Sequence, residues 1–561
     1  MNMKYFLAII YIVLSLPSTA QVMNWQRVIN CGNVVEPYSS RNFVIDKHNN
    51  KYVFSNYYQQ ITIDSITIST NNRGVYLAKY NLNDSLLWLK NLVEYQFFPN
   101  SLAVADSFNN IIFSIPFRDS IKIREQAFFS NGLLDNVILK LDSNANIIFS
   151  KKLGSTFNEG IPESGLCTDK FGNILIAGVF GYADTNNTNP KTLFFDTIAL
   201  NTTNENFFIA KLDTSGNFLW AKTSSDISSK NGRSISVDCN GNSYVTGYLG
   251  NSFNNHFDSI VLNFPSVFGS ECFLIKYSPD GNALWARYFG IEDFSSTIAP
   301  MDITVCGSQV VFCGQGNTNS NVEYTFEGGG TVVGTGGWDN YIASYDTAGN
   351  FKWSKVFQSI GDENMLRLTS NQLDKLFAVG NFNYRMFIDN DTVYTNSYDN
   401  VYVTCLDTTG QHQWTLTAGG AQADLGNDIA LDNTGAVYVL GATSSDPCYF
   451  GTLEFPKTNP FSMFLAKISD EPLQNSTVEL KKKFSLYPNP NAGNFILQCD
   501  VHTPQYITVY SMLGECVFST TTNSLPTSIP IQLPPLPDGL YYLKASSEEG
   551  NFTQTFLVKT P

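Results

Sequence analysis

One phrase returns along this chain at a nearly constant interval: an apolar run, a lysine, a short turn, then a tryptophan. It is clearest where Phe208-Ile209-Ala210-Lys211 leads to Trp220-Ala221-Lys222, and where Phe273-Leu274-Ile275-Lys276 leads to Trp285-Ala286-Arg287. Weaker copies end at Trp88, Phe149, Trp353 and Trp414, and Trp25 is an anchor with no unit before it. The anchors lie about 65 residues apart, a period that points to tandem structural units. A second phrase follows each anchor, as in Ile235-Ser236-Val237-Asp238 before Tyr244-Val245-Thr246-Gly247, and Ile429-Ala430-Leu431-Asp432 before Tyr438-Val439-Leu440-Gly441. Asp opens the turn between two apolar strands, and Gly supplies a positive φ near its end. Each unit therefore reads as four strands: a (Ile-x-Val-Asp), b (x-Tyr-Val-x-Gly), c (Phe-Leu-x-Lys) and d (Leu-Trp-x-Lys).

Four-stranded units in tandem predict a seven-bladed β-propeller. The last unit has strand c at Phe464–Lys467 but no tryptophan strand after it, while Val22–Trp25 is a tryptophan strand without a unit. An N-terminal strand closing the last blade accounts for both ends and leaves no open sheet edge. A linear β-solenoid would not explain the mismatch. Composition agrees, because 14% aromatic and 15% charged residues suit strands packed on both faces. The 561 residues exceed one compact domain. A formal charge of −15 weighs against nucleic acid or an anionic membrane surface as partner.

The two ends differ from the repeats. Lys4, the apolar run Tyr5–Leu16 and the small residues up to Ala20 read as a signal peptide at 1–20. The run would span roughly 18 Å as a helix against a bilayer core of about 30 Å, which disfavours an anchor. No later stretch is long and apolar enough to cross a bilayer as a helix. Residues 21–468 then form the propeller, and 469–483, with Pro472 and Lys481–Lys483, a linker. Residues 484–561 alternate strands with Gly and Pro turns, the pattern of a small β-sandwich. The ten cysteines include no CxxC pair and read as small buried hydrophobes. Cys306 and Cys313 flank an expected turn at Gly307-Ser308-Gln309, with Cys306 facing Val310 and Cys313 facing Ile303, too far apart for a disulfide.

The Asp-x-x-Gly-Asn turns, the Tyr-Val-x-Gly strand and the Phe-Leu-Ala-Lys to Trp-Ala-Lys run together resemble the bacterial β-propeller repeats called SBBP. The resemblance covers 22–468, best in units three, four and seven; Phe149 replaces Trp in unit two, and Asn371–Asp374 departs from the turn in unit six. It implies a fold and extracellular use, not one activity. In the tail, Tyr487-Pro488-Asn489-Pro490 with Gly493, then Val509–Gly514, then Asp538-Gly539-Leu540-Tyr541, are similar to the type A C-terminal sorting domain of the type IX secretion system. That resemblance implies passage across a Gram-negative outer membrane, with the secretion machinery as partner of 484–561 and the passenger either surface-attached or released. The tail motif residues are expected to serve the fold first.

Residues able to carry chemistry are sparse. The four histidines, 48, 256, 412 and 502, fall in separate units without a zinc-binding spacing. No GxSxG, P-loop or GxGxxG pattern occurs. Gly328–Gly330 and Gly334–Gly337 lack the lysine and helix of a phosphate loop and read as a flexible insertion. Asp169, Asp213, Asp238, Asp280, Asp346 and Asp432 are read as turn formers, with Ca²⁺ as the alternative use of such loops. The repeated Trp is read as packing between units rather than as a sugar platform. Asp-(Ser/Thr)-aliphatic triplets at Ser65, Ser120, Thr197, Ser259 and Thr392 read as hairpin turns between strands b and c. They also resemble the O-glycosylation signal of exported Gram-negative proteins. The long b–c and d–a connections are expected to share one face, where Glu163, Arg233, Glu363, Asp424 and Asp428 would ring the channel mouth. The leading expectation is a non-catalytic module that binds an extracellular glycan or protein, adhesion included. The alternatives are a polysaccharide hydrolase or lyase using paired carboxylates at that mouth, and a structural surface component.

Overall fold

The computed structural model describes residues 23–33, 42–95, 101–162, 164–182, 191–225, 230–250, 254–263, 271–291, 296–318, 322–334, 337–359, 363–389, 391–395, 398–456, 461–469, 484–499, 506–511, 516–521, 528–547 and 550–559. The expected signal peptide and the linker beyond Ser469 lie outside them. The described residues are all-β, without a helix, and fall into two compact units divided after residue 472.

In the larger unit, seven antiparallel sheets of four to six strands follow one another along the chain. Strands a to d run in sheet order within each, as Asp424–Leu431, Val437–Thr443 and Ser462–Ser469 do in the last. The fourth strand of that last sheet is the N-terminal strand Asn24–Asn33, antiparallel to Ser462–Ser469 with Trp25 opposite Ile468. The reason the b and c strands read as unbroken apolar runs is burial on both faces. Asn206–Leu212 is buried at every position, whereas the outermost Phe218–Thr223 is not.

The a strands neighbour one another in a closed circuit: Asn42–Ile45, Leu102–Ala105, Leu166–Thr168, Lys230–Val237, Thr297–Cys306, Glu363–Ser370, Asp424–Leu431, and back to Asn42–Ile45. Hydrophobic cores fill the gaps between successive sheets. Phe54 and Val75 of the first meet Phe113 and Leu139 of the second, and Tyr438 and Leu465 of the last meet Val53 and Tyr76 of the first.

The repeated polar residues fasten neighbouring sheets. The indole N–H of Trp220, Trp285 and Trp353 donates to Pro279, Thr347 and Thr408, each in the c–d turn of the next unit. Gly281 in that turn has φ +80°, and a Cβ there would stand 2.7 Å from Trp220, so this turn needs glycine beneath its tryptophan. The strand c lysines Lys79, Lys140 and Lys276 reach Ser143, Thr214 and Thr347 of the next unit. Lys140 also pairs with Asp106 at 3.0 Å, both side chains almost wholly buried.

Strands b and c of units two to seven are joined through extra hairpins. Four of these hairpins add strands to the outer strand of the preceding unit: Ser120–Ile123 on Leu86–Tyr95, Glu323–Phe326 on Ala283–Ile291, Arg385–Ile388 on Phe351–Ser359, and Cys448–Phe450 on His412–Gly419. The glycine cluster is part of this device and not a loose insertion: Gly328 and Gly329 turn Glu323–Phe326 into Gly330–Val333. Asp64-Ser65, Asp196-Thr197 and Asp258-Ser259 are two-residue turns with the Asp at positive φ, and Ser65, Thr197 and Ser259 are exposed. The other two motifs do not turn their hairpins. Ser120 and Thr392 lie within strands and are half-buried; one hairpin turns at Arg124-Glu125, and the other pairs Ile388 with Asp391.

The turn after Thr297–Cys306 is one residue shorter than expected: Gly307 at φ +58° and Ser308 suffice, so Cys306 pairs with Gln309 and Cys313 with Asp302. Both cysteines are buried free thiols, as are Cys31, Cys272, Cys405 and Cys448.

In the smaller unit a three-stranded sheet (Phe484–Tyr487, Asn494–Cys499, Ser528–Gln532) and a four-stranded sheet (Cys516–Thr521, Tyr506–Ser511, Gly539–Ser547, Gly550–Val558) share one core. Phe495, Leu497 and Ile531 of the first sheet meet Val509, Leu543 and Phe556 of the second.

Candidate functional site

Among the described residues, the closed circuit of a strands lines at least two cavities. The first, of about 240 Å³, is lined by Asp302, Arg367, Asp428 and apolar neighbours drawn from all seven a strands. These three polar residues hold one sequence position, four before the residue that opens the a–b turn (Cys306, Asn371, Asp432). A β-bulge precedes each of them and turns its side chain out of the ladder. Asp428 accepts the N–H of Ile429 at 2.9 Å and, across to the first unit, that of Phe43 at 3.1 Å. Asp302 does the same with Ile303 and Leu368, both at 2.9 Å, and accepts from Ser234 at 3.2 Å. Arg367 donates to the Ser164 hydroxyl at 2.9 Å and to the Met301 carbonyl. Each carboxylate thus clasps two successive units.

Burial pushes the Asp428 carboxyl up to about 7, against the opposing pull of Arg367 and the two N–H donors. Burial raises Asp302 as well, again against Arg367. Both residues keep part of their surface open to the cavity. Chemically the arc offers two hindered carboxylates and a guanidinium already engaged with its neighbours.

The second cavity, of about 490 Å³, opens at the a–b turns. These turns share one construction. Asp169 accepts the N–H groups of Phe171 and Asn173 and the Asn173 amide; Asp46, Asp106 and Asp238 do the same with their own Asn. Asn371 takes over this role in unit six, accepting from Leu373, Asp374 and Lys375. Such bonds hold the carboxylates of Asp106 and Asp169 below their usual range, although burial opposes them. Asp280 does not open its turn: Ser278 does, accepting from Asn282.

Of the residues expected at the channel mouth, Asp428 faces the inner cavity. Asp424 does not face solvent: it is fully buried, bonded by Thr443, Ser445 and the Gly420 N–H, and raised by burial. Arg233 is half-buried with its guanidinium 5.6 Å from the Tyr248 ring centre, and lines neither cavity described above. Glu363 opens its strand opposite Phe382, and its side chain, like the whole of Glu163, lies outside the described residues. The sequence reading missed Asp302 and Arg367, although their shared offset from the turn was available to find them. It placed the open face at the long connections; of the two cavities described above, the larger lies at the short turns.

In the tail, Tyr487, Pro488, Asn489 and Pro490 are exposed. Asn489 accepts the Leu557 N–H at 2.9 Å, and Asn491 accepts that of Gly493, which has φ +89°. Gly539 pairs with Val558, Asp538 is exposed, and buried Tyr541 donates to the Pro537 carbonyl. Gly514 lies outside the described residues.

Over 258 residues, 40% of this chain, the sequence is 29% identical to an uncharacterized WD repeat-containing protein of Acanthamoeba polyphaga mimivirus, of whose length the match spans 17%. Among solved structures, a fungal alcohol oxidase of the AA5 family in complex with copper covers 96% of this chain and 99% of its own, at 12% identity and a TM-score of 0.34. A DUF4221 family member from Bacteroides vulgatus covers 52% and 92%, at 10% identity and a TM-score of 0.19. At these TM-scores the likeness carries no argument. Residues 485–559 match the family described as a secretion system C-terminal sorting domain, and this domain indicates export to the cell surface or beyond through the type IX secretion system.

Proposed function

We propose that this chain is an exported seven-bladed β-propeller of the SBBP repeat kind, residues 21–468, behind a signal peptide and ahead of a linker (469–483) and a sorting β-sandwich (484–561). The closed circuit of a strands and the pairing of Asn24–Asn33 with the last sheet support seven blades. Its function is non-catalytic binding at the cell surface or in the medium, adhesion included, with the ligand seated at the a–b turn cavity. The observation that carries this reading is the rim of that cavity, where rigid repeated turns present a different side chain from unit to unit. A fixed frame that presents variable side chains is how repeat proteins build recognition surfaces.

The test is a glycan array probed with the exported protein, with and without Ca²⁺, and with bound glycans checked for cleavage. Binding without turnover, lost on Gln372→Ala, supports the reading; turnover overturns it. The second reading, a hydrolase, draws on Asp302 and Asp428, two half-buried carboxylates beside one cavity. It is the weaker one, because both oxygens of each already accept backbone N–H groups.

A further inference from the structure

The residue after each turn opener varies: Lys47, Ser107, Lys170, Cys239, Gly307 and Gln372 in units one to six. All six line the a–b cavity. Lys47 and Lys170 are exposed, and neither ammonium has a carboxylate partner among the described residues. The carboxylates beside them are already committed. Asp106 pairs with Lys140 at 3.0 Å and Asp169 with Lys211 at 3.1 Å, while Asp238 is saturated by Asn240, Asn242 and the Tyr244 hydroxyl. On a chain of net charge −15, this rim sets two lysines with no ion pair of their own beside three hydrogen-bonded carboxylates. The hydroxyl of Ser107 is buried and has no hydrogen-bond partner, so a donor or acceptor is wanted there. Between the lysines the lining alternates hydroxyls such as Ser236 and Thr304 with the apolar side chains of Ala105 and Val237.

Resting on the binding reading above, we infer that the cavity takes an acidic sugar, a pyranose bearing a carboxylate. Lys47 and Lys170 meet the carboxylate as point charges. Gln372 bonds a ring hydroxyl, and Val237 packs against a C–H face. A cavity of about 490 Å³ is of the size that takes a small ligand of this kind.

The probes are glucuronate and its neutral match glucose, titrated into the full exported chain by saturation-transfer NMR. Glucuronate is expected to bind saturably, at least about tenfold tighter than glucose, and more weakly as salt rises. The double variant Lys47→Ala/Lys170→Ala should lose about tenfold for glucuronate with an unchanged circular dichroism spectrum, while Lys122→Ala, on a hairpin outside the cavity, binds as the parent does. Equal binding of the two sugars, full retention in the double variant, or no glucuronate binding by the parent each overturns the acidic-sugar inference. The binding reading fails separately, if the array shows no glycan whose capture depends on Gln372.

Discussion

Trp25→Ala tests whether the N-terminal strand is an integral part of the last sheet. Trp25 is 3% exposed, meets Phe450 edge-on at 5.1 Å, and its indole N–H donates to Thr417 at 3.1 Å. Truncating a buried tryptophan costs about 3–5 kcal/mol, and the lost N–H bond falls within that range. Trp220 is the comparison: it stands opposite Lys211 on its own d strand, a place that Arg27, opposite Lys467, holds in the last sheet, and it is only half-buried, so Trp220→Ala should cost about half as much. The assay is guanidinium unfolding followed by tryptophan fluorescence. All seven tryptophans lie in the larger unit, so the signal reports that unit alone. The midpoint should fall further for Trp25→Ala than for Trp220→Ala, with the slope unchanged. If Trp25→Ala costs no more than Trp220→Ala, Asn24–Asn33 is a loosely held edge and the closure argument is wrong.

Lys140→Met should destabilise the larger unit by about 3–5 kcal/mol, because it strands the buried Asp106; adding Asp106→Asn should recover part of the loss in thermal melts. Burial raises Asp428 to about 7 in the folded state, above its unfolded value of about 4, so the native protein holds the extra proton between those values and stability falls as pH rises through that window. Asp428→Asn should flatten the decline of Tm between about pH 4 and 7, and an unchanged slope would refute the assignment. Asp346 is held down at about 2 mainly by its Asn350 and Lys352 partners, which outweigh burial; its stabilisation is present above about 4 and lost as pH falls towards 2, a loss that Asp346→Asn should remove from acid melts. Truncation after Ser469 should leave the protein inside the cell envelope, read by immunoblot of medium and cell fractions; truncated protein in the medium would contradict the role of the sorting domain.

Features fixed by local chemistry were legible from the amino acids. The Asp that opens a turn, the Gly beneath a Trp and the apolar runs of strands b and c each satisfy a need within a few residues, and repetition made them conspicuous. Asp424 illustrates the opposite case. Its position at the start of a strand suggested a channel mouth, but Thr443 and Ser445, about twenty residues on, wrap it completely. The one-residue error at Gly307-Ser308 arose because a two-residue turn and a three-residue turn differ only in backbone angles. Asp302 and Arg367 were overlooked because Cys306 and Asn371 stand where their units should show the turn-opening Asp. The order of strands, the period and the exported tail were therefore written in the sequence, since each depends on neighbours along the chain. Which residues converge on the cavities was decided only by the circuit of a strands, which brings together side chains from units hundreds of residues apart, a distance across which no local pattern carries information.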